Sequence, residues 1–519
     1  MIILLASTVG WSIASARLQQ GNADQLVSGF LFENDRTFTG ATFPASHTQL
    51  IKWPLFAALR LFGFSAGIYL VLTVLLTIAT VGAFAYILYR VNKNLLIFGT
   101  LCLGLASVLV LIPVQIFDGV TAPLNIAMLT GRNMEYIVYL GALALFIQAQ
   151  QFASWRFLAA TFLATLLAAS DHLFLILSLG GATSLFITAW LLGHRQLHDA
   201  AKRWLAGSAA AGAGAALLQA VIGRVTHIVN DPLPYGALNS WHAIWPGIVG
   251  TAKALGLNAG LTMRAGLLTI LPVLLNAAVV IGVAVAAYWL AKKIYALKGR
   301  PTVRLPDAVL LATMAATTAV VAIVTYALTN QPYVEHARYL TIVLFTSFVT
   351  LAVYLRNSRQ LNAHMLAALG IAAVAAVALG LFGTIRHTNQ LLAHDRLRQR
   401  NQRIALLLKT HPVELLVGDY WRVFPVKLLS AAARQAVVPL DGCVANVQLL
   451  NSAAWRPDLR RHSFAYILPL RSLSIATPRC SRQNVTLLYG PPTSTAVIAG
   501  NQRHPEELLL FYDEGAYDR

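Results

Sequence analysis

Charged side chains are scarce in this chain, since only 11% of its 519 residues are Asp, Glu, Lys or Arg. Hydrophobic residues make up 57% of the chain, and the mean hydropathy is +0.64. A soluble globular protein needs a much more polar surface, so this composition excludes that class. The composition instead predicts a polytopic α-helical membrane protein.

Cysteine is also rare, with three residues in the whole chain. Cys102 falls inside an apolar run, where a packing role is expected. Cys443 and Cys480 lie in the same polar C-terminal part and could pair in an oxidising compartment. No CxxC or mixed Cys/His spacing of a metal site occurs, and no Walker A, GxGxxG, HExxH or GxSxG motif occurs in a supporting context. The sequence therefore gives no positive indication of ATP-driven transport or common hydrolase chemistry.

The net charge of +19 does not predict a nucleic-acid partner, because Lys and Arg are spread over loops and the C-terminal part without a compact basic module. Apolar runs instead predict about eleven spanning helices: 2–16, 66–89, 95–117, 134–150, 157–170, 172–193, 205–222, 265–290, 308–328, 339–355 and 365–385. Ser170-Asp171-His172 is expected to separate two short helices that meet at a membrane face. Basic residues in the alternate loops 90–94, 150–156, 194–204, 291–306 and 356–364 place the N-terminus inside.

The pattern divides the chain into two domains. Residues 1–385 form the transmembrane domain, with two long outer loops at 17–53 and 223–264. Residues 386–519 are polar and form a soluble extracytoplasmic domain, because an odd number of spans precedes them. After a helical linker, the runs VELLVG, AVVPL, FAYILPL, VTLLYG, TAVIAG and ELLLFYD predict strands. The run ELLVGDYWRVFPVKLLSAAA predicts a strand, a turn and a helix, so a small α/β domain is expected.

Carboxylates are few and lie on one side of the predicted membrane. Of the ten in the first 385 residues, eight fall in outer segments: Asp24, Glu33, Asp35, Asp118, Glu135, Asp171, Asp231 and Glu335. Acidic groups at a membrane boundary are costly, so this asymmetry predicts chemistry on the outer face. Glu33, Asp35, Glu135 and Asp231 rank behind the others, and about half of the eight are expected to be helix caps or ion-pair partners.

Asp24 is the strongest candidate because it follows the turn-like Gly21-Asn22-Ala23 just beyond the first apolar run. A carboxylate there can act as the general base that takes a proton from an acceptor hydroxyl or amine. The alternative is an N-cap for the following QLVSGFLF helix. Both roles are compatible.

Cationic and mixed clusters complete the candidate site. His47 and Lys52 precede Trp53-Pro54, where a lysine ordinarily snorkels to the headgroups but is also suited to a lipid-linked phosphate. Asp118 and Arg132 end and begin neighbouring spans and are expected to lie close together, with a purely structural ion pair as the alternative to a role in the site.

Two further polar clusters lie at predicted outer span ends. Asp171-His172 could form a proton relay or part of a metal site. In TNQPYVEHARYL, Arg338 suits bidentate phosphate binding, with Glu335 and His336 beside it, although a local ion pair is as good an explanation.

The arrangement resembles the GT-C superfamily of integral-membrane glycosyltransferases, which includes aminoarabinose, mannosyl and arabinofuranosyl transferases. The resemblance rests on the acidic GNADQLV in a long first outer loop, the re-entry FPASHTQLIKWPLF, a late ARYL element and an outer C-terminal domain. It extends over most of the membrane region as architecture, with short motifs.

The resemblance implies an inverting transfer of a sugar from a polyprenyl-phosphate donor to an acceptor outside a bacterial inner membrane. That acceptor would be an envelope glycan, a lipid or a protein. Asp24 matches the catalytic acidic position, Lys52 matches the basic position facing the donor phosphate, and Arg338 matches a later phosphate-facing arginine. The chain departs from the usual pattern because no second acid stands beside Asp24. No cofactor is therefore certain, and a divalent cation stays open.

Two other functions compete with this hypothesis. A transporter or flippase of lipid-linked glycans would be expected to carry inverted repeats and ionisable residues at mid-membrane depth, and the predicted spans have almost none of the latter. A polymerase or ligase of surface glycans would differ mainly in using a longer donor.

Overall fold

The structure is a computed structural model of the chain. It describes residues 1–34, 42–44, 48–111, 122–229, 241–261, 267–329, 334–358, 363–430, 432–437, 459–469, 481–499 and 507–514.

Fifteen α-helices make up the described part of the membrane region. They are α1 (Ile2–Gln19), α2 (Ala23–Asn34), α3 (Trp53–Phe62), α4 (Ala66–Val91), α5 (Leu95–Val110), α6 (Ala122–Ile126), α7 (Met134–Gln148), α8 (Trp155–Ser170), α9 (His172–Leu192), α10 (Arg195–Ile222), α11 (Ile244–Asn258), α12 (Ile270–Tyr295), α13 (Asp307–Leu328), α14 (Thr341–Asn357) and α15 (Ala363–His394). A two-stranded parallel ladder joins the two long loops, with β1 (Thr42–Pro44) beside β2 (His227–Val229).

Eight helices in the described ranges are long and apolar enough to cross a membrane: α1, α4, α9, α10, α12, α13, α14 with the turn before it, and α15. The shorter apolar helices α5, α7 and α8 coincide with three more predicted runs. All eleven predicted runs thus coincide with helices over most of their described residues, and the chain is a multi-pass membrane protein. Two helices meet at Asp171, as predicted, because its carboxylate accepts the Leu173 amide and caps α9.

The helices carry their apolar residues outward, as a lipid-facing surface requires. On α12, Leu274, Ile281 and Tyr288 follow one another at seven-residue intervals, and all are exposed. Asn276 lies on the buried side of the same helix and accepts a hydrogen bond of 2.7 Å from Ser107 of α5. The helix is therefore apolar toward lipid and partly polar toward its neighbours.

Small residues allow close helix contact inside the bundle. At Gly181 of α9, an added Cβ would lie 2.5 Å from the Trp204 ring of α10, so only glycine fits there. The Trp204 indole donates to Ser178 at 2.9 Å, and Ser178 also bonds Ser208 at 2.6 Å. These bonds satisfy buried polar groups where two helices touch.

The C-terminal part forms a small α/β domain. Its described elements are α16 (Arg396–Thr410), β3 (Val413–Gly418), α17 (Tyr420–Leu429), β4 (Ala433–Val437), β5 (Phe464–Pro469), α18 (Arg482–Tyr489), β6 (Ser494–Ile498) and β7 (Glu507–Tyr512). The strand order is β4-β3-β5-β7-β6, with β3 parallel to β4 and β5 and with β7 antiparallel to β5 and β6. The predicted strand, turn and helix over ELLVGDYWRVFPVKLL is confirmed.

The strand predicted for VTLLYG is wrong, because this segment lies in helix α18. The Ser481 hydroxyl accepts the Asn484 amide and caps the helix. Val485 is buried and Leu487 is exposed, so the apolar residues do not form one buried strand face. The predicted AVVPL strand begins earlier, at Ala433, and its described part ends at Val437.

One apolar core joins the C-terminal domain to the membrane region. Phe424 of α17 stacks on Phe30 of α2 with ring centroids 5.4 Å apart. Leu129, from the segment after α6, and Ile404 of α16 belong to the same buried cluster. The C-terminal domain, α2 and the α6–α7 segment therefore lie at the same end of the bundle.

Candidate active site

The segment between α6 and α7 is a compact turn held by two asparagine side chains. The Asn133 amide donates to the carbonyls of Ile126 and Met128, at 3.2 and 2.9 Å. Asn125 accepts the Arg132 amide at 3.2 Å and donates to the Arg132 carbonyl at 3.0 Å. Both asparagines are almost fully buried, so the backbone at Arg132 is fixed on both sides.

Gly131 lies at the tightest point of this turn. An added Cβ would be 2.2 Å from the Asn125 carbonyl oxygen and 2.8 Å from Cβ of Met128. The Gly131 carbonyl accepts a hydrogen bond from the Lys52 ammonium. Glycine is therefore required here because backbone atoms fill the space of a side chain.

The substitution Gly131→Ala is expected to destabilise the protein by roughly 2–4 kcal/mol, because the turn must open to admit the methyl group. The measurement is the apparent melting temperature in detergent. Gly141→Ala on α7 is the matched control, since no atom lies within 4 Å of its added Cβ. Equal melting temperatures for the two variants would contradict this account of the turn.

The re-entry segment 48–52 brings Lys52 to this turn. Gln49 adopts a left-handed conformation with φ of 56°, and its amide donates to the Ser170 carbonyl at 3.2 Å. The Thr48 hydroxyl donates to the Ala169 carbonyl at 2.6 Å. These bonds anchor the segment to the end of α8 and place Lys52 at the start of α3.

Lys52 is buried in an ion pair, with its ammonium 3.4 Å from Glu135 of α7 and both side chains at most 3% exposed. The Glu135 carboxylate also accepts a hydrogen bond of 3.0 Å from the backbone N–H of Asn133. Burial lowers the pKa of the Lys52 ammonium, and Glu135 acts in the opposite direction. Lys52 therefore does not snorkel to the surface, so that alternative is wrong in this structure.

Arg132 forms a second ion pair beside the first. Its Nε lies 2.5 Å from Asp171, whose side chain also caps α9. The Arg132 guanidinium lies over the Tyr339 ring, 4.8 Å from its centroid. We expected Asp118 as the neighbour of Arg132; Asp118 lies outside the described residues, and the described partner is Asp171.

Arg338 approaches the same ring from the 3₁₀ turn Val334–Leu340. Its guanidinium lies 5.4 Å from the Tyr339 centroid, and its Nε is buried without a hydrogen-bond partner in the described part of the chain. Across the described residues of this cluster, Lys52, Arg132 and Arg338 provide three positive charges against two negative charges. An anion is therefore the ligand that this cluster favours.

The structure thus brings together four of the predicted residues: Lys52, Arg132, Asp171 and Arg338. His172 lies next to Asp171, and its Nε2 is 3.4 Å from the Gln219 amide nitrogen. For Glu335 and His336 only the backbone is described, in the 3₁₀ turn. His47, Asp118, Cys443 and Cys480 lie outside the described residues.

Asp24 lies in the first turn of α2, because the helix begins at Ala23 and not after Asp24. The alternative that Asp24 is the N-cap residue before this helix is therefore wrong in this structure. One turn further along, the Ser28 hydroxyl donates to the Gln49 side chain at 3.2 Å. This bond ties α2 to the segment that delivers Lys52.

Sequence reasoning missed several residues of the cluster. Glu135 was ranked low among the carboxylates although it holds Lys52, and the roles of Asn125, Gly131 and Tyr339 were not foreseen. The dense polar run in GRNMEY at the start of an apolar helix is the signal that points to this turn.

No group of three or more His, Cys, Asp or Glu side chains that could hold a metal ion occurs in the described ranges. The carboxylates of the cluster, Glu135 and Asp171, are each engaged by a cation. Among the described residues, the site therefore consists of the ion pairs Lys52–Glu135 and Arg132–Asp171. The guanidinium groups of Arg132 and Arg338 both lie beside the Tyr339 ring.

Comparison with protein-family models finds no match, and comparison with curated proteins finds none either. Among solved structures, the crystal structure of ArnT from Cupriavidus metallidurans bound to undecaprenyl phosphate matches with a TM-score of 0.56 and 11% sequence identity. The match covers 98% of this chain and 97% of that chain. At this identity the likeness establishes the fold alone, and the predicted architecture is confirmed: the chain has the GT-C-like membrane fold of ArnT.

Proposed function

We propose that this protein is an inverting glycosyltransferase that moves a sugar from a polyprenyl-phosphate donor to an acceptor outside a bacterial inner membrane. The observation that carries the proposal is the cluster of three cations and two carboxylates, in a fold similar to that of ArnT, which was crystallised bound to undecaprenyl phosphate. An envelope glycan, lipid or protein is the acceptor.

The proposed chemistry needs a base at the acceptor and cations at the leaving group. Asp24 takes the proton from the acceptor nucleophile, which attacks the anomeric carbon as the bond to the donor phosphate breaks. Negative charge then builds on the departing polyprenyl phosphate, and nearby cations stabilise it. Inversion follows from a single displacement at that carbon.

Arg338 is the proposed first ligand of the donor phosphate. Its guanidinium has no carboxylate partner in the described part of the chain, whereas Lys52 and Arg132 each have one. The Lys52 ammonium has three N–H groups, and Gly131 and Glu135 engage two of them. A donor phosphate could therefore contact Lys52 and Arg132 without displacing Glu135 or Asp171.

The positive-inside rule supports a location of the site on the outer side of the membrane. The cluster and the C-terminal domain share one end of the bundle through the common core around Phe30 and Phe424. With the N-terminus inside and the C-terminal domain outside, as the distribution of basic residues predicts, the proposed location of the cluster is outside as well. His47, Glu335 and His336 are proposed additional phosphate-facing or cavity residues, together with Asp118, Asp171 and His172.

Arg338→Ala is expected to weaken binding of undecaprenyl phosphate by roughly ten- to a hundredfold, because a charge-assisted contact to the phosphate is lost. Binding is measured by microscale thermophoresis on the detergent-solubilised protein. Arg356→Ala at the far end of α14 is the control, since that guanidinium donates to the Val91 carbonyl at 2.9 Å, away from the cluster. Wild-type affinity in the Arg338 variant would overturn the proposed phosphate site.

A further inference from the structure

A chain of buried hydrogen bonds connects the backbones of the two arginines that flank Tyr339. Asn125 bonds both the amide and the carbonyl of Arg132, at 3.2 and 3.0 Å. Its side-chain amide also donates to the Thr341 hydroxyl at 3.2 Å. That hydroxyl donates in turn to the Arg338 carbonyl at 2.7 Å.

Both linking side chains are inaccessible to solvent, because Asn125 is 1% exposed and Thr341 is fully buried. Asn125 bonds Thr341 and the Arg132 backbone. The Thr341 hydroxyl also contacts the Tyr136 hydroxyl, which itself donates to the Arg338 carbonyl at 3.4 Å. Threonines elsewhere on α14 differ: the Thr346 and Thr350 hydroxyls donate to carbonyls of their own helix. The Thr341 hydroxyl instead receives a bond from Asn125 of another element, so it joins α6 to the 3₁₀ turn before α14.

A second buried asparagine fixes the position of that 3₁₀ turn relative to α6. The Asn258 side chain at the end of α11 donates to the Ala337 carbonyl at 2.8 Å and accepts the Ala122 amide at 2.7 Å. The residue before Arg338 and the first residue of α6 are thus held by one amide group. Two separate asparagines therefore fix α6 against the Arg338 turn.

We propose that Asn125 and Thr341 are positioning residues that set the separation of the Arg132 and Arg338 guanidinium groups for one phosphate of the donor. This inference rests on the proposed function, in which these arginines face the polyprenyl phosphate. The guanidinium groups lie 4.8 and 5.4 Å from the same Tyr339 centroid, so a small backbone shift at either residue changes the space between them. Catalytic cations that are held in place need no reorganisation when charge develops.

Thr341→Val tests the link because it replaces the hydroxyl by a methyl group of similar size. It removes the acceptor of Asn125 and the donor to Arg338, so the affinity for undecaprenyl phosphate is expected to fall by about fivefold to twentyfold. Thr341→Ser keeps the hydroxyl and is expected to bind like the wild type. Thr350→Val is the matched control on α14, since its hydroxyl donates to the Thr346 carbonyl of its own helix.

The decisive measurement is a double-mutant cycle with Arg338→Ala. If Thr341 acts through Arg338, Thr341→Val changes undecaprenyl phosphate affinity in the wild-type background and leaves it unchanged in the Arg338→Ala background. Asn125→Asp, which keeps the acceptor oxygen but loses both donors, is expected to be non-additive with Arg132→Ala in the same way.

The outcomes separate this inference from the proposed function. Equal loss of affinity in both backgrounds, or no loss in the Thr341→Val protein, overturns the positioning role while the phosphate site stands. Unchanged affinity in the single Arg338→Ala variant overturns the proposed function itself. If Thr341→Val does not yield folded protein, Thr341→Ala removes the same hydroxyl with less bulk and enters the same cycle.

Discussion

The Asp24→Asn variant is expected to insert into membranes at the wild-type level and to lose sugar transfer by roughly a hundredfold to ten-thousandfold. Asparagine has nearly the same shape as aspartate, so α2 is expected to form as before. It cannot accept the proton of the acceptor nucleophile, which is the role that we propose for this carboxylate.

The surroundings of α2 make this a sharp test. Ser28 ties the helix to Gln49, and Phe30 stacks on Phe424 of the C-terminal domain. The second turn of α2, directly after the turn that carries Asp24, is thus fixed both to the re-entry segment and to the C-terminal domain. A loss of transfer without a loss of folded protein would therefore report on the carboxylate and not on the position of the helix.

The measurement is release of undecaprenyl phosphate from a panel of undecaprenyl-phosphate-linked sugars, followed by mass spectrometry. Glu33→Gln, near the other end of α2, is the control and is expected to keep activity. Because the proposed role of Asp24 concerns the acceptor and not the donor, binding of undecaprenyl phosphate is expected to stay unchanged in the Asp24 variant. Wild-type product formation by Asp24→Asn would remove the residue from the mechanism.

Most of the helical fold could be predicted because membrane spans obey a simple rule. Each needs a long apolar run, and its backbone must satisfy its own hydrogen bonds. The runs at 66–89 and 265–290 accordingly became α4 and α12. The segment VTLLYG failed because a short apolar run satisfies a strand and a helix equally, and the Ser481 cap decided the outcome.

The site was less predictable because its contacts join residues far apart in the sequence. Lys52, Arg132 and Arg338 were each recognisable as cations near a predicted span end, but their partners were not. Asp171 was a visible candidate, whereas Glu135 resembled any acidic residue in the first turn of a helix. Periodicity gives the face of a helix, and only the packing of α6, α7 and α9 brings these side chains together.

The second large effect is the loss of stability expected when the buried Lys52–Glu135 ion pair is broken. Either single change, Lys52→Met or Glu135→Gln, leaves one buried charge without its partner in a site that is at most 3% exposed. Breaking a buried pair in this way costs about 3–5 kcal/mol. Both single variants are therefore expected to show a clearly lower apparent melting temperature than the wild type.

The double variant Lys52→Met/Glu135→Gln distinguishes a structural pair from a phosphate ligand. Removing both charges leaves no unpaired ion, so most of the lost stability is expected to return. The side-chain oxygen of a glutamine at position 135 can still accept the hydrogen bond from the backbone N–H of Asn133. Binding of undecaprenyl phosphate is nevertheless expected to stay weaker than in the wild type, because the Lys52 ammonium is absent.

Stability and binding must therefore be measured on the same preparations of all four proteins. Recovery of the melting temperature without recovery of affinity supports Lys52 as a donor-phosphate ligand that Glu135 holds in place. Recovery of both would assign Lys52 to the fold alone, as a cation that clamps the Gly131 turn through its carbonyl. In that case Arg132 and Arg338, on either side of Tyr339, would carry the phosphate without it.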